Sequence, residues 1–172
     1  MTQLQLPLFP TDTFKSIIKR IRRPAPQSPP DQLSNRALKD VWLRLRKRYF
    51  PGRPDIDEYQ VVWSRRAQKR TLASCNIESK RVTVARELNY KEHFIWLEPL
   101  LFHEMCHAYL EDRISGKNGK IAWHGKEFKA LEKLHPGSRR LDQWIKKGGW
   151  SSAVRSDRAK RAHIKRKLLT VR

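Results

Sequence analysis

Between residues 31 and 50 the apolar positions Leu38, Val41, Trp42, Leu45 and Tyr49 recur at three- and four-residue intervals. That spacing predicts one buried face of an amphipathic helix, stopped by Pro51-Gly52-Arg53-Pro54. Three short β-like runs follow at 59–63 (YQVVW), 70–75 (RTLASC) and 81–85 (RVTVA), with IESK as a turn between the last two. The pattern predicts a small antiparallel sheet containing a hairpin. After Asn89 the helical pattern returns and continues through Leu110, with Pro99 interrupting or restarting it. A second helix is expected from about 124 to 134, ended by His135-Pro136-Gly137. The fold class expected is therefore α+β, a small antiparallel sheet packed on helices.

The ends of the chain read differently. Residues 1–10 carry no charged side chain, and Phe14, Ile17, Ile18 and Ile21 then recur at helical spacing among basic residues. The stretch PAPQSPP breaks any helix and reads as a stiff linker. From Lys146 onward there are ten Lys or Arg and one acid, Asp157. This segment reads as a flexible or conditionally helical basic tail rather than a stable packed helix. The expected organisation is a flexible leader over 1–30, one domain over 31–150 and a basic tail over 151–172.

Charge changes the picture most. The 172 residues include 38 Lys and Arg against 17 Asp and Glu, a net charge of +21. Such an excess repels itself in the compact state and points to a polyanionic partner, nucleic acid first. No apolar run approaches the roughly 18 residues of a membrane helix, and the N-terminus does not resemble a secretory signal. Cys75 and Cys106 are the only cysteines, too few for a disulfide framework. A cytoplasmic protein is expected, associated with the nucleoid if bacterial, with no membrane partner.

The chemistry is concentrated in LLFHEMCHAYL, residues 100–110. His103 and His107 are four apart, so a helix presents both imidazoles on one face, with Glu104 beside them as a base for a metal-activated water. The neighbours Leu100, Leu101, Phe102, Met105, Cys106, Ala108 and Leu110 make this helix apolar nearly all round. Buried imidazoles and a buried carboxylate are costly unless something pairs with them, and a metal ion does so. The alternative is a pair of hydrogen-bonded core histidines.

A catalytic zinc of this kind takes a third protein ligand and leaves one position open. The extended pattern HExxHxxGxxH fails, because Leu110 and Arg113 stand where its glycine and third histidine belong. Glu127 and Glu132 are possible ligands. His124 in WHGKEF is the stronger candidate, since it opens a helix whose apolar face continues through Phe128, Leu131 and Leu134. His93, His135 and His163 have no matching partner.

HEMCHA followed by HGKEFKAL resembles the SprT-like zinc metallopeptidases, the group that includes the Spartan proteases. VVWSRR, RTLASCN and VTVARELN resemble the short sheet that precedes the active-site helix in that family. The resemblance spans roughly residues 35–145. It implies a zincin-type HExxH helix and a second helix carrying the third ligand. It further implies that His103, His107 and His124 bind zinc and that Glu104 is the catalytic acid/base of a metalloendopeptidase. Many relatives carry a C-terminal cysteine zinc ribbon, and here no cysteine follows Cys106. Tyr90, Tyr109 and nearby arginines are candidates to stabilise an oxyanion.

The same resemblance implies cleavage of proteins bound or crosslinked to DNA, and with it a role in DNA–protein crosslink repair. In the tail, Arg155, Arg158, Lys160, Arg161, Lys165, Arg166 and Lys167 are candidate phosphate contacts. Trp150, and with it Trp144, is a candidate to stack on unpaired bases of single-stranded DNA. Gln5-Leu6-Pro7-Leu8-Phe9 resembles the pentapeptide by which many bacterial proteins bind the replicative sliding clamp. Leu8 and Phe9 would be its apolar anchors, with Gln5 and Leu6 beside them. Two other readings remain: a metallopeptidase of this fold without nucleic-acid dependence, and a nucleic-acid-binding protein with a structural or inactive metal site.

Overall fold

The computed structural model describes residues 32–110 and 124–170. The leader with Gln5, Leu6, Leu8 and Phe9, the 14–23 pattern, the linker and residues 111–123 lie outside the described residues.

Helix α1 spans Asn35–Tyr49. Ser34 caps it, accepting a hydrogen bond from the Ala37 N–H at 3.2 Å. The expected face is the buried one: Leu38, Trp42 and Leu45 are sealed, and the Trp42 indole donates to the Ile56 carbonyl at 2.9 Å. A 3-10 turn, Pro54–Glu58, follows and is tied back to α1 by the Arg46–Asp57 pair.

Strands β1 (Gln60–Trp63), β2 (Ala73–Asn76) and β3 (Arg81–Val84) form one sheet in the order β1-β3-β2. The hairpin between β2 and β3 is present, with Asn76 Oδ1 accepting from the Ser79 N–H and hydroxyl at 2.8 Å. The expectation of a wholly antiparallel sheet is corrected. β1 pairs with β3 in parallel, Gln60 opposite Arg81 through Trp63 opposite Val84. The reason lies in the connection: residues 64–80, including β2, return the chain to the start of the sheet before β3 begins. Side-chain alternation specifies which face a strand buries and says nothing of its partner's direction. β3 is the central strand, with Val82 and Val84 fully buried, and among the described residues β2 is an edge.

Helix α2, Leu97–Leu110, is buried along most of its length. A 3-10 turn, Lys91–Trp96, leads into it, and Pro99 sits in its first turn, where the missing N–H has no intrahelical partner to lose. Pro99 therefore marks a restart. The helix packs on α1 and β2 and on two later helices, α3 (Lys126–Glu132) and α4 (Ser138–Lys146). The expected 124–134 helix is thus shorter, with His124 preceding it. α4 was not foreseen. Leu141, Trp144 and Ile145 carry its apolar face, and Trp144 stacks on Trp96 at 5.0 Å.

The segment expected to be a flexible or conditionally helical tail, rather than a stable packed helix, is helix α5, Gly149–Thr170, and its first turns are packed. Gly148, at φ +81°, turns the chain out of α4. A Cβ on Gly149 would lie 2.2 Å from the Trp144 indole, so both glycines are required for different reasons. Trp150, Ala153 and Asp157 form a narrow buried stripe against the 3-10 turn Arg86–Leu88. Asp157, the lone acid of the segment, is the anchor. Only 3% exposed, it accepts from the Tyr90 hydroxyl at 2.8 Å and the Arg161 guanidinium at 2.8 Å. Burial, then the hydrogen bond to Asp157, pushes the Tyr90 hydroxyl up to about 12. Lys160 pairs with Glu92 at 2.7 Å. Beyond Lys160 the described side chains are all exposed, so the last turns project as the charged arm the composition implied.

Asp157→Ala is expected to lower stability by about 1–3 kcal/mol, because it strands the Tyr90 hydroxyl in a half-buried position. Thermal unfolding measures this. An unchanged midpoint would show that α5 is not anchored through Asp157.

Candidate metal centre

His103 and His107 stand one turn apart on α2, as their spacing requires. His124 reaches the same point from the start of α3, where Gly125 occupies the N-cap in an extended conformation. One ligand nitrogen from each imidazole lies within 4.8 Å of the other two, so the three residues could hold a metal ion. Phe128, 2% exposed, seats the cluster from below. Its ring centroid is 4.9 Å from His103, 4.4 Å from His107 and 4.7 Å from His124.

Electrostatics prepare the donors. Burial first, then repulsion from His103 and His124, depresses His107 to about 4. It is therefore neutral near pH 7 with a lone pair to give. Burial, followed by His103, also lowers His124. His103 goes the other way: burial opposes its charge, but the Glu132 hydrogen bond and the nearby carboxylates outweigh it and raise its pKa. Its Nδ1 meets Glu132 Oε1 at 2.6 Å, which leaves Nε2 for a metal. Glu132 is correspondingly lowered by that hydrogen bond. Three imidazoles, two of them held neutral, beside an open cleft suit a divalent ion of the zinc type.

Glu104 is 4% exposed and turns toward β2, where the Cys75 backbone N–H donates to it. Burial raises its pKa to about 7, against the pull of His103 and of the Cys75 amide. A carboxyl poised near neutrality is suited to taking and returning a proton. Glu104, the three histidines and Ala73, Ser74 and Cys75 of the edge strand line one cleft of about 400 Å³.

Other expected site residues fare differently. Glu127 is exposed on α3, outside the cleft, and Glu132 lies behind His103 rather than among the ligand atoms. Tyr90 is committed to Asp157, and Tyr109 stacks on Phe50 beneath Arg53. The base-stacking role expected of Trp150 is corrected: the indole is 7% exposed and donates to the Lys69 carbonyl at 3.2 Å. His135 is buried against Tyr49 and Phe102, and His163 is exposed on α5. Arg155, Arg158, Lys165, Arg166 and Lys167 are exposed on α5; Arg161 and Lys160 share their charge with Asp157 and Glu92.

The roles of Glu132 and Phe128 were missed, although the signal was available. Positions 128 and 132 are four apart, so the aromatic seat and the carboxylate share one side of the helix that His124 precedes. A carboxylate on the far nitrogen of a ligating histidine fixes the ring and its tautomer. Glu132→Gln is therefore expected to weaken metal affinity by about 10–100-fold. Competition with a chromophoric chelator reads this directly, and unchanged affinity would relegate Glu132 to a surface role.

No curated protein and no solved structure matches the chain. The model of the SprT-like family matches residues 38–140, from the buried face of α1 into α4 and across every residue of the cluster. The match covers more than half of the sequence, and the chain belongs to the SprT-like family.

Proposed function

We propose that the protein is a zinc-dependent metalloendopeptidase that cleaves proteins bound or crosslinked to DNA. One observation carries the enzymatic half: a buried carboxylate, Glu104, shares a cleft with a three-histidine ligand set. A purely structural metal site has no use for such a group.

His103, His107 and His124 would hold the ion. When bound, zinc supplies Lewis acidity toward the scissile carbonyl and toward a water molecule. Glu104 accepts the proton of the attacking water and delivers it to the departing amine. The Cys75 amide holds that carboxyl at the wall of the cleft. β2 forms the cleft wall and is a sheet edge, so an extended peptide can align beside it by main-chain hydrogen bonds.

The DNA half is supported by the net charge of +21 and the exposed cations of α5. Gln5, Leu6, Leu8 and Phe9 would dock the protein on a sliding clamp, bringing it to replicating DNA in the cytoplasm or nucleoid.

The test compares cleavage of a protein crosslinked to DNA with cleavage of the same protein free, with and without single-stranded DNA. Glu104→Gln serves as the catalytic control. Equal cleavage of both substrates, indifferent to DNA, would leave a metallopeptidase without nucleic-acid dependence. DNA binding with no cleavage would leave a binding protein with an inert metal site.

A further inference from the structure

The segment joining β1 to β2 carries Arg65, Arg66, Lys69 and Arg70, all four exposed. Four cations within six residues repel one another, and an unsupported loop would splay to separate them. This loop is instead held by its backbone. Glu87, 1% exposed, accepts from the Gln68 N–H at 2.7 Å. Trp150 donates to the Lys69 carbonyl at 3.2 Å, Ser64 to the Arg66 carbonyl at 2.9 Å, and Arg86 to the Arg65 carbonyl at 2.8 Å.

Burying a carboxylate is costly. Here it is bonded to main chain and not to any of the loop's cations, which leaves every cationic head directed outward. Among the described residues none of the four makes a side-chain hydrogen bond or ion pair. Through Trp150 the loop shares a corner with the junction of α4 and α5, where Lys146 and Lys147 are also exposed. The loop then runs into β2. Arg70 is four residues before Ser74 of the cleft wall, a Cα separation of at most about 14 Å.

We propose that this stapled loop, with Lys146 and Lys147, docks the phosphates of a nucleic-acid strand and leads that strand past the mouth of the metal cleft. The inference rests on the reading of the protein as a protease of DNA-bound proteins, and it names the surface that positions the DNA. An acidic protein is the competing occupant. The strand is favoured because the cations continue along α5, which suits a long polyanion of regular charge. The fixed backbone also presents Arg65, Arg66 and Arg70 as phosphate forks with only their side chains left to order at binding.

The test uses fluorescence anisotropy of a labelled single-stranded oligonucleotide with the zinc-loaded Glu104→Gln protein, so that binding is read without turnover. Adding Arg65→Ala, Arg66→Ala, Lys69→Ala and Arg70→Ala is expected to weaken binding at least tenfold near 0.1 M salt. The slope of log affinity against log salt should flatten by about 0.7 for each contact removed. Zinc content and circular dichroism report that the variant is folded. Unchanged affinity and slope overturn the proposal, as does a loss confined to a comparison variant carrying Arg158→Ala, Lys165→Ala and Lys167→Ala. A loop variant that binds the oligonucleotide normally but loses polyglutamate also overturns it, in favour of the acidic protein. Failure of the parent to bind the oligonucleotide removes the DNA half of the proposed function as well; a binding parent with an equal loop variant removes this inference alone.

Discussion

Glu104→Gln is expected to lower peptide-bond cleavage by roughly 10²–10⁴-fold while metal content stays at the level of the unsubstituted protein. The amide is nearly isosteric and keeps an oxygen to accept from the Cys75 N–H, so the cleft wall and the helix are preserved. It cannot take a proton. Because burial already pushes the Glu104 carboxyl up to about 7, a neutral group at this position also relieves a desolvation cost, and the thermal midpoint should not fall. Single-turnover cleavage of a fixed substrate, with metal analysis on the same sample, provides the measurement. Retention of more than a tenth of the activity would remove Glu104 from the proton-transfer role.

His107→Ala should abolish tight metal binding, with an affinity loss exceeding the 10–100-fold expected for Glu132. His107 is the most strongly depressed of the three histidines and the one whose ring lies nearest Phe128. Its loss removes a ligand and opens space beside that phenyl ring. Chelator competition at neutral pH measures the affinity, and circular dichroism checks that α2 survives. An affinity equal to that of the parent would mean that the metal binds elsewhere. Acidification should weaken the site in the parent as well, since all three histidines must be neutral at the donating nitrogen; His103, whose pKa is raised, takes up its proton first, and the low pKa of His107 delays its own protonation to about pH 4.

The site was legible because its signals are local. Four-residue spacing brings His103 and His107 together on α2 whatever surrounds them, and the apolar run around them predicts burial. The α1 face of Leu38, Trp42 and Leu45 was legible for the same reason: a helix buries what its period aligns. Strand direction was not, because β1 and β3 present the same alternation in either orientation, and only the path of residues 64–80 makes them parallel. α5 was misread through Asp157. A single acid among many cations looks like a residue of a solvated run, yet it becomes an anchor once Tyr90, 67 positions earlier, is folded against it. Trp150 was misread likewise, since its partner is the carbonyl of Lys69.

What the sequence by itself determined is the helical periods, the HExxH spacing and the hairpin, which depend on neighbours within one or two turns, and the excess of positive charge, which is a sum over composition. The tertiary structure decided the parallel pairing of β1, the convergence of His124 on the α2 histidines, the carboxylate behind His103 and the packing of α5. It also decided which cations are held on a fixed frame. Each of these joins residues far apart in the chain, and local propensity has no access to the burial and desolvation that select such partners.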